Sequence, residues 1–342
     1  MEFNVDKKDS MRFKFGTLFY ICASILKANL SRASLINKAI KNWYQFYLVY
    51  LGIKKSATLE FVDGYKINVS KDNLSKALII AEFHAMLRRA RGLDLIIRVN
   101  KDKVVVKVKR RWLILDRETA PSIITELLFP QHDVFNVKGR DVIDIGAYVG
   151  DTALYYLYEK ARHVYAFEPI PYIYEKGLQI IKKNNLMKFI SFFNEGVSGE
   201  EGVIKVPKSG TNFGKVEPGE STEGKVIKII SLEDFVRKYK IDDAILKVDC
   251  EGCEYSIFQK ASKEVLQRFV GIHIEYHYGY ADLALRLKEE GFNVIYTKPT
   301  YIFKGLGRRP MISGDIIAFR EKSILNLNSI NRIQGRIILY NK

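Results

Sequence analysis

From residue 140 onward, short apolar runs alternate with segments of helical periodicity. The apolar runs predict strands near 141–145, 163–167, 189–193, 244–249, 269–276, 292–297 and 314–320. The amphipathic segments predict helices near 152–161, 171–185, 231–239, 254–262 and 280–290. Such alternation is typical of α/β proteins, so we expect a mostly parallel, doubly wound sheet of seven strands.

The first 132 residues follow a different pattern. Residues 11–53 combine many aromatic residues with Arg and Lys, which predicts helices. Two interpretations stay open: these helices pack on the main domain, or they lie on a membrane surface. Downstream, an Asp-Gly pair between alternating runs predicts a β-hairpin over 57–69.

Further elements complete the predicted organisation. We expect a helix near 73–91, strands at 94–98 and 103–115, a helix at 120–128, and a β-hairpin with a mobile loop near 209–213 within 198–230. The predicted parts are a basic aromatic helical segment (1–55), a small α+β domain (56–132), the main domain (133–322) and a tail (323–342).

Charge is unevenly distributed along the 342 residues. The net charge is +16, of which +13 lies in residues 1–140 and +3 in the remainder. This asymmetry suggests an anionic partner such as nucleic acid, an anionic membrane or phosphorylated carbohydrate, against the alternative of a solvated basic face. The apolar run at 16–26 has about half the roughly 20 residues that a membrane span requires. We therefore expect a cytoplasmic protein, with peripheral membrane contact through the basic segment as an option.

A glycine-rich turn follows the first strand of the main domain. Asp144 ends the strand, and Gly146 and Gly150 permit a tight turn and close approach of a ligand to the backbone. Glu168, at the end of the next strand, is placed to accept hydrogen bonds from the hydroxyls of a ribose. The turn lacks the second glycine of G-x-G-x-x-G, which argues against a dinucleotide.

A second group of polar residues lies at the ends of later strands. Asp249, Glu251 and Glu254 follow the fourth strand, and His273, Glu275 and His277 alternate on the fifth. Since the carboxyl ends of parallel strands line the ligand crevice, the three acids are expected to face a ligand, and the buried polar face of the fifth strand needs partners or a function. The two cysteines between them, Cys250 and Cys253, are interpreted as small buried apolar residues, because three cysteines in the chain suggest neither a disulfide framework nor a zinc site.

Five sequence blocks together resemble the FkbM-type methyltransferases. The blocks are D-x-G-A-x-x-G at 144–150, F-E-P at 167–169, S-L-E-D-F at 231–235, K-V-D-C-E-G-C-E at 247–254 and E-Y-H at 275–277. They occur in the family's order, and the resemblance covers about residues 135–320. The residues after F-E-P depart mildly from the family's usual pattern.

This resemblance implies a class I, Rossmann-like methyltransferase that uses S-adenosylmethionine (SAM) to methylate oxygen, often on a sugar or polyketide. It implies that Asp144, Gly146, Ala147 and Gly150 hold the methionine end of SAM and that Glu168 binds the ribose. The loop that contains Asn194 and Gly196 is implied to pass the adenine.

The acceptor is expected to be a carbohydrate or another small molecule with a hydroxyl group. Removing the hydroxyl proton requires a general base, for which His277 is the first candidate and Glu251 or Asp249 the second. A divalent metal held by Asp249, Glu251 and Glu275 is an alternative that the sequence does not favour. An RNA methyltransferase whose basic front part binds nucleic acid is the alternative function.

Overall fold

The structure is a computed structural model that describes residues 33–89, 95–100, 103–108, 111–128, 130–207, 224–302, 311–333 and 337–338. The apolar run at 16–26 and the loop at 209–213 lie outside these residues. Two compact units divide the chain, Met1–Leu95 and Ile96–Lys342. Residues 96–132, which the sequence analysis grouped with the front part, are therefore counted with the second unit.

Residues 33–89 of the first unit form a β-hairpin and three α-helices. Its elements are α1 (33–39), α2 (Tyr44–Tyr50), β1 (Ser56–Glu60), β2 (Lys66–Ser70) and α3 (Leu74–Arg89). Strands β1 and β2 pair antiparallel, with Leu59 opposite Ile67, so the hairpin predicted around Asp63-Gly64 is confirmed. Leu59, Val69 and Phe46 belong to one buried apolar cluster that holds the hairpin and helices together.

The second unit opens with a three-stranded sheet of β3 (Leu95–Asn100), β4 (Lys103–Val108) and β5 (Arg111–Asp116). The sequence predicted one strand over 103–115, and this is wrong. Val104 pairs with Leu115 and Val106 with Leu113, so the run folds back on itself as a hairpin. The sequence at the junction of the two strands contains the basic run Lys109-Arg110-Arg111 but no glycine, proline or asparagine, so no usual turn residue marks the break.

The large sheet follows, together with the helices that cover it. Its strands are β6 (Asp141–Ile145), β7 (His163–Phe167), β8 (Ile190–Phe193), β12 (Ala244–Val248), β13 (Phe269–Tyr276), β14 (Asn293–Thr297), β15 (Thr300–Ile302), β16 (Met311–Phe319) and β17 (Ile337–Ile338). A smaller sheet contains β9 (Gly196–Ser198), β10 (Gly202–Pro207) and β11 (Gly224–Ser231). The helices are α4 (Ala120–Leu128), α5 (Asp151–Tyr158), α6 (Pro171–Lys183), α7 (Leu232–Tyr239), α8 (Cys253–Lys260), α9 (Lys263–Leu266), α10 (Ala281–Glu289) and α11 (Leu327–Ile333).

Seven strands form the body of the large sheet, in the order β14-β16-β13-β12-β6-β7-β8. Neighbours from β13 to β8 are parallel, whereas β16 runs antiparallel between β13 and β14. The predicted doubly wound, seven-stranded α/β sheet is confirmed. Strands β6 and β12 are buried along their whole length, as expected for central strands.

This order places the carboxyl ends of β6, β7, β12 and β13 side by side. Ile145 pairs with Phe167 on one side and with Val248 on the other, and Val248 pairs with Ile274. The residues that immediately follow these four strands therefore meet at one edge of the sheet, where doubly wound sheets bind their ligands.

None of the described helices combines the length and the apolarity that a membrane crossing requires.

Candidate active site

The turn after β6 approaches the turn after β12 so closely that only glycine fits. Gly146 has φ of +78°, and a Cβ atom added to it would lie 1.8 Å from the carbonyl oxygen of Asp249. The backbone N–H groups of Gly146 and Ala147 both donate to the carbonyl of Phe167, at 3.1 and 2.9 Å. Gly146 therefore joins the predicted cofactor loop to the turn that carries the candidate acids.

A buried lysine connects the same two turns. The ammonium group of Lys247 donates to the carbonyl oxygen of Gly146 at 2.8 Å and lies 3.1 Å from Asp144 and 3.8 Å from Asp249. Burial by itself lowers the pKa of Lys247, but the charges of Asp144 and Asp249 outweigh burial and raise this pKa above its ordinary value. Lys247 is thus a fixed cation, and Thr152 donates a further hydrogen bond to Asp144. The motif with Lys247 was recognised in the sequence, but its lysine was given no role.

Glu168 lies in a tight loop after β7 and is 5% exposed. Its carboxylate accepts a hydrogen bond from the backbone N–H of Ile170 at 2.8 Å. The side-chain amide of Asn194 donates to the carbonyls of Glu168 and Pro169, at 3.0 Å each, so Asn194 braces the loop. Burial raises the pKa of Glu168 to about 8 against the opposing effect of that backbone hydrogen bond. Gly196 is the first residue of β9. A Cβ atom added to it would lie 3.8 Å from the Pro169 ring.

His277 follows β13 and is 1% exposed. Its Nδ1 lies 3.0 Å from a carboxylate oxygen of Glu254, which also accepts the backbone N–H of His277 at 3.2 Å. Its Nε2 faces three other carboxylates, at 3.7 Å (Asp249), 3.8 Å (Glu251) and 3.9 Å (Glu275). Glu254 therefore fixes Nδ1 of the His277 ring, and carboxylates surround Nε2.

These acids raise the basicity of the ring. Burial alone lowers the pKa of His277, but the hydrogen bond and charge of Glu254 and the charges of Glu251 and Asp249 outweigh it and raise this pKa above its ordinary value. Burial, with the charge of Asp249, raises the pKa of Glu275 to about 7. Glu254, which follows the fourth strand of the main domain in the sequence, is fully buried and positions His277.

The turn that carries Glu251 is strained and cross-linked. Glu251 and Gly252 have φ of +59° and +130°, and Cys250 and Cys253 on either side form a disulfide. The interpretation of these cysteines as small apolar residues is therefore wrong. The two positive φ angles fold the chain back within four residues and bring the Cα atoms of the cysteines to 5.5 Å, which suits a disulfide.

Sequence reasoning missed His132, in the segment between α4 and β6. One ligand atom each from His132, Asp249 and Glu275 lie within 4.8 Å of one another. Burial, followed by the charge of Lys247, lowers the pKa of His132 to about 3, so the ring is neutral. No signal in the sequence pointed to His132, because it lies in an irregular segment more than a hundred residues before Asp249.

The structure thus brings the predicted catalytic residues Asp249, Glu251 and His277 into one cluster. Residues of the predicted cofactor site lie at the end of β6 or follow β6, β7 and β8 along the same sheet edge: Asp144, Gly146, Ala147, Gly150, Glu168, Asn194 and Gly196. Lys247 lies between the two groups and contacts both. Their individual roles stay predictions.

Comparison with known families identifies residues 144–294 as a match to the Methyltransferase FkbM domain. The match spans the loop after β6, the Glu168 loop and the His277 cluster, so the resemblance noted in the sequence is confirmed. A comparison with curated proteins found no match for this chain.

Solved structures with a similar arrangement include a putative methyltransferase from Streptococcus mutans in complex with SAH, at 17% identity, covering 54% of this chain and 92% of that one with a TM-score of 0.31. TYW2 from Pyrococcus horikoshii in complex with MeSAdo has 15% identity, coverage of 69% and 82%, and a TM-score of 0.35. A putative transferase from the same organism has 14% identity, coverage of 70% and 82%, and a TM-score of 0.35.

Proposed function

We propose, from the premise that this chain is a SAM-dependent methyltransferase with an FkbM domain, that it methylates a hydroxyl group of a sugar. The acceptor is a free, glycan-borne or lipid-linked carbohydrate, and His277 is the general base. The observation that carries the proposal is the cluster of carboxylates around Nε2 of His277.

The residues at the carboxyl ends of β6 and β7 fit SAM. Gly146 and Gly150 both have positive φ and keep side chains out of the turn, so a ligand can approach the backbone. Glu168 is a buried carboxyl with a backbone hydrogen bond on one oxygen, and a ribose diol supplies the hydroxyl partners that such a group needs. When bound, SAM supplies an electrophilic methyl group.

The acceptor end of the site favours a polyol. Asp249, Glu251 and Glu275 present carboxylate oxygens around one point, and each carboxylate accepts hydrogen bonds from hydroxyl groups. A sugar offers several hydroxyls at once, one to react and its neighbours to be held. A phosphate at this position would be repelled by the same acids, which weighs against a nucleic acid backbone as the group bound there.

His277 is built to receive a proton on Nε2. The contact of Nδ1 with buried Glu254 fixes the ring and stabilises the imidazolium that forms when the acceptor hydroxyl loses its proton. The acids hold the reacting oxygen in line, and such alignment supplies a large share of the rate. Lys247, bonded to Gly146 and close to Asp249, keeps the acceptor turn in register with the cofactor loop.

The proposal is tested with labelled SAM and fractionated cell extract. We expect label in the carbohydrate or glycolipid fraction, as a methyl ether that resists mild alkali and hydroxylamine, in contrast to a methyl ester. The His277→Gln variant should bind SAM normally by calorimetry but lose about 10²-fold or more in kcat, the contribution typical of a general base. Label found only in RNA or protein would refute the sugar acceptor.

A membrane-bound acceptor is consistent with the surface of the first unit. Trp43, Tyr44 and Tyr50 on or beside α2 are exposed, and Leu51 and Ile53 after this helix are each 67% exposed. Exposed Lys54 and Lys55 follow directly. Aromatic and apolar side chains next to lysines suit the interface of an anionic bilayer. Sedimentation with phosphatidylserine vesicles should retain the protein at low salt, and the Leu51→Ser/Ile53→Ser double variant should bind less.

One observation favours the alternative, an RNA methyltransferase. Trp112 on β5 is 45% exposed, with the Arg98 guanidinium 5.5 Å and the Lys107 ammonium 5.9 Å from its ring centre. An exposed aromatic ring among cations suits a stacked base and a phosphate. This function would be supported by nucleic acid that copurifies with the protein and dissociates at high salt. Less nucleic acid should copurify with a Trp112→Ala variant, and this result would favour RNA over a sugar as the acceptor.

A further inference from the structure

The carboxylate cluster has a histidine on its other side, and together they form a set of mixed ligands. His132, Asp249 and Glu275 each place one ligand atom within 4.8 Å of the other two. An ion at about 2.1 Å from each of three ligands needs ligand atoms roughly 3 to 4.2 Å apart. Side-chain movements that shift each ligand atom by a few tenths of an ångström are therefore enough to close the set around one ion.

His132 is held as a metal-ligating histidine is held. Its Nδ1 lies 3.2 Å from a carboxylate oxygen of Glu126, which is 7% exposed and also accepts the backbone N–H of Gln131. Metal-ligating histidines almost always donate their other ring N–H to a carboxylate, a backbone carbonyl or a water, which fixes the tautomer and directs the free nitrogen to the metal. With Nδ1 engaged by Glu126, Nε2 is the nitrogen left for an ion.

An independent observation points to a missing group beside this set. The ring of His273 packs 5.3 Å from that of His132, is 2% exposed, and uses Nε2 to contact Asp315 at 3.0 Å. Its Nδ1 is buried and has no hydrogen-bond partner among the described residues. A buried nitrogen of this kind normally has a partner, and water bound to a neighbouring ion supplies the donor it lacks.

Charge also favours a cation at this point. Asp249 and Glu275 lie within 3.9 Å of one imidazole nitrogen, together with Glu251. The buried lysine nearby is bonded to Gly146 and lies closer to Asp144 (3.1 Å) than to Asp249 (3.8 Å). The positive charge of Lys247 is therefore balanced mainly by Asp144, which leaves Asp249 and Glu275 to balance a second cation.

We propose that His132, Asp249 and Glu275 bind one divalent transition-metal ion, with Glu126 as the positioning residue for His132. An imidazole with two carboxylates suits Mn²⁺, Fe²⁺ or Zn²⁺, whereas Mg²⁺ and Ca²⁺ prefer sites made of oxygen alone. This ligand set differs from the all-carboxylate set considered from the sequence, because His132 takes the place of Glu251.

The role of the ion rests on the proposed function. Two of its ligands lie within 3.9 Å of Nε2 of His277, so a sugar hydroxyl on the ion lies beside the candidate base. A divalent ion lowers the pKa of a bound hydroxyl group and orients it. The ion and His277 then act on the same proton, which His277 accepts.

The test uses the full chain without a histidine tag, stripped of metal by chelator and titrated with Mn²⁺. We expect one tight site by electron paramagnetic resonance, with an imidazole nitrogen detected in the electron spin echo modulation. The His132→Ala variant should lose that nitrogen signal and at least about tenfold in affinity, Asp249→Asn should lose a similar factor, and Glu126→Gln about tenfold. Zn²⁺ should displace the bound Mn²⁺.

A matched control is Asp242→Asn. Asp242 is an acid of the same unit, its side chain is 71% exposed, and the affinity of this variant for Mn²⁺ should equal that of the parent protein. Calorimetric SAM binding reports whether each variant is folded. Folded protein that binds no stoichiometric Mn²⁺, or binds it equally well after His132→Ala, overturns the site. Because this readout is binding alone, it is separate from the acceptor: Mn²⁺ binding without any methylated sugar leaves the metal site intact and refutes the sugar methylation.

Discussion

Four ionisable side chains of this site are almost completely removed from water. Asp144 and Glu254 are fully buried, and Lys247 and His277 are each 1% exposed. Burying charges is costly unless each is paired, and here every one of these four groups has a partner of opposite charge or a hydrogen bond. The arrangement trades stability for fixed positions of the reacting groups.

Glu168 should show this trade directly. Its folded-state pKa of about 8 exceeds the ordinary value near 4.5, so its contribution to stability is fully present below pH 4.5 and is lost as the pH rises through 8. We expect Glu168→Gln to raise the free energy of unfolding relative to the parent protein by on the order of 3 kcal/mol above pH 8, and by little at pH 4.5. The same variant should bind SAM about tenfold more weakly or worse, as measured by calorimetry.

Urea unfolding across this pH range is the stability measurement, and Glu264→Gln, an exposed acid, is its control. A Glu168→Gln variant with the same pH dependence of stability as the parent protein would contradict the assignment of a buried carboxyl.

Glu254 should set the pH at which the enzyme becomes active. His277 accepts a proton only when its ring is neutral, and its raised pKa predicts that kcat/KM increases with pH and levels off above that pKa. Replacing Glu254 by Gln removes the negative charge beside Nδ1 and so lowers the pKa of His277. The increase of kcat/KM should therefore occur at lower pH, and its plateau value should fall. A pH profile of Glu254→Gln against the surface control Glu289→Gln measures this, and unmoved profiles would mean that His277 is not the base.

The turns that follow β6 and β12 act as one unit, and Gly146 is the position where they touch. A Cβ atom at Gly146 would lie 1.8 Å from the Asp249 carbonyl oxygen. A residue with a side chain would also be strained at the φ of +78° that this position has. We expect Gly146→Ala to lower the free energy of unfolding by about 3 kcal/mol or more and to abolish SAM binding.

The control for this prediction is Gly139→Ala. Gly139 has nearly the same φ, +77°, but nothing lies within 4 Å of its added Cβ atom. Its cost should therefore be the backbone term alone, about 1 to 2 kcal/mol. Equal losses for the two variants by chemical unfolding would show that the close approach to Asp249 is unimportant.

The disulfide between Cys250 and Cys253 constrains the turn that carries Glu251. We expect the Cys250→Ser/Cys253→Ser variant to keep SAM affinity but to lose about tenfold in kcat/KM, because a small displacement of an aligning acid is costly to rate. Dithiothreitol should slow the parent protein to the same extent and leave the double variant unaffected. If neither dithiothreitol nor the two substitutions changed kcat/KM, the disulfide-linked turn would have no part in the mechanism.

The sequence predicted the main strands and helices of the large sheet well, because β6, β7 and β12 are apolar runs followed by a glycine or an acid. It failed at 103–115, where the chain turns at a basic run that contains no glycine, proline or asparagine. In the site, Asp249 and His277 were recognisable from their motifs. Glu126 and His132 were not, since only the folded chain brings an irregular segment next to β12 and β13. The Cys250–Cys253 bond depends on two positive φ angles that residue types alone do not announce.

Every residue assigned to cofactor, acceptor or metal lies in the second unit, Ile96–Lys342. The buried cluster that joins β6, β12 and β13 to α7, α8 and α10 also lies entirely within it. We therefore expect a fragment of residues 95–342 to fold and to bind SAM with the affinity of the whole chain. Circular dichroism and calorimetry on the fragment provide the measurement, and a fragment that stays unfolded would show that the front unit is needed for folding.

The position of β16 has a consequence for how the protein is made. This strand lies between β13 and β14 although both precede it in the chain, and it pairs Asp315 with Glu275. While the ribosome is still translating the region before residue 311, the strand that leads to His277 has an unpaired edge. Exposed edges of this kind recruit other chains, so neighbouring nascent copies on one messenger RNA are most prone to aggregate until residues 311–319 have been synthesised and paired.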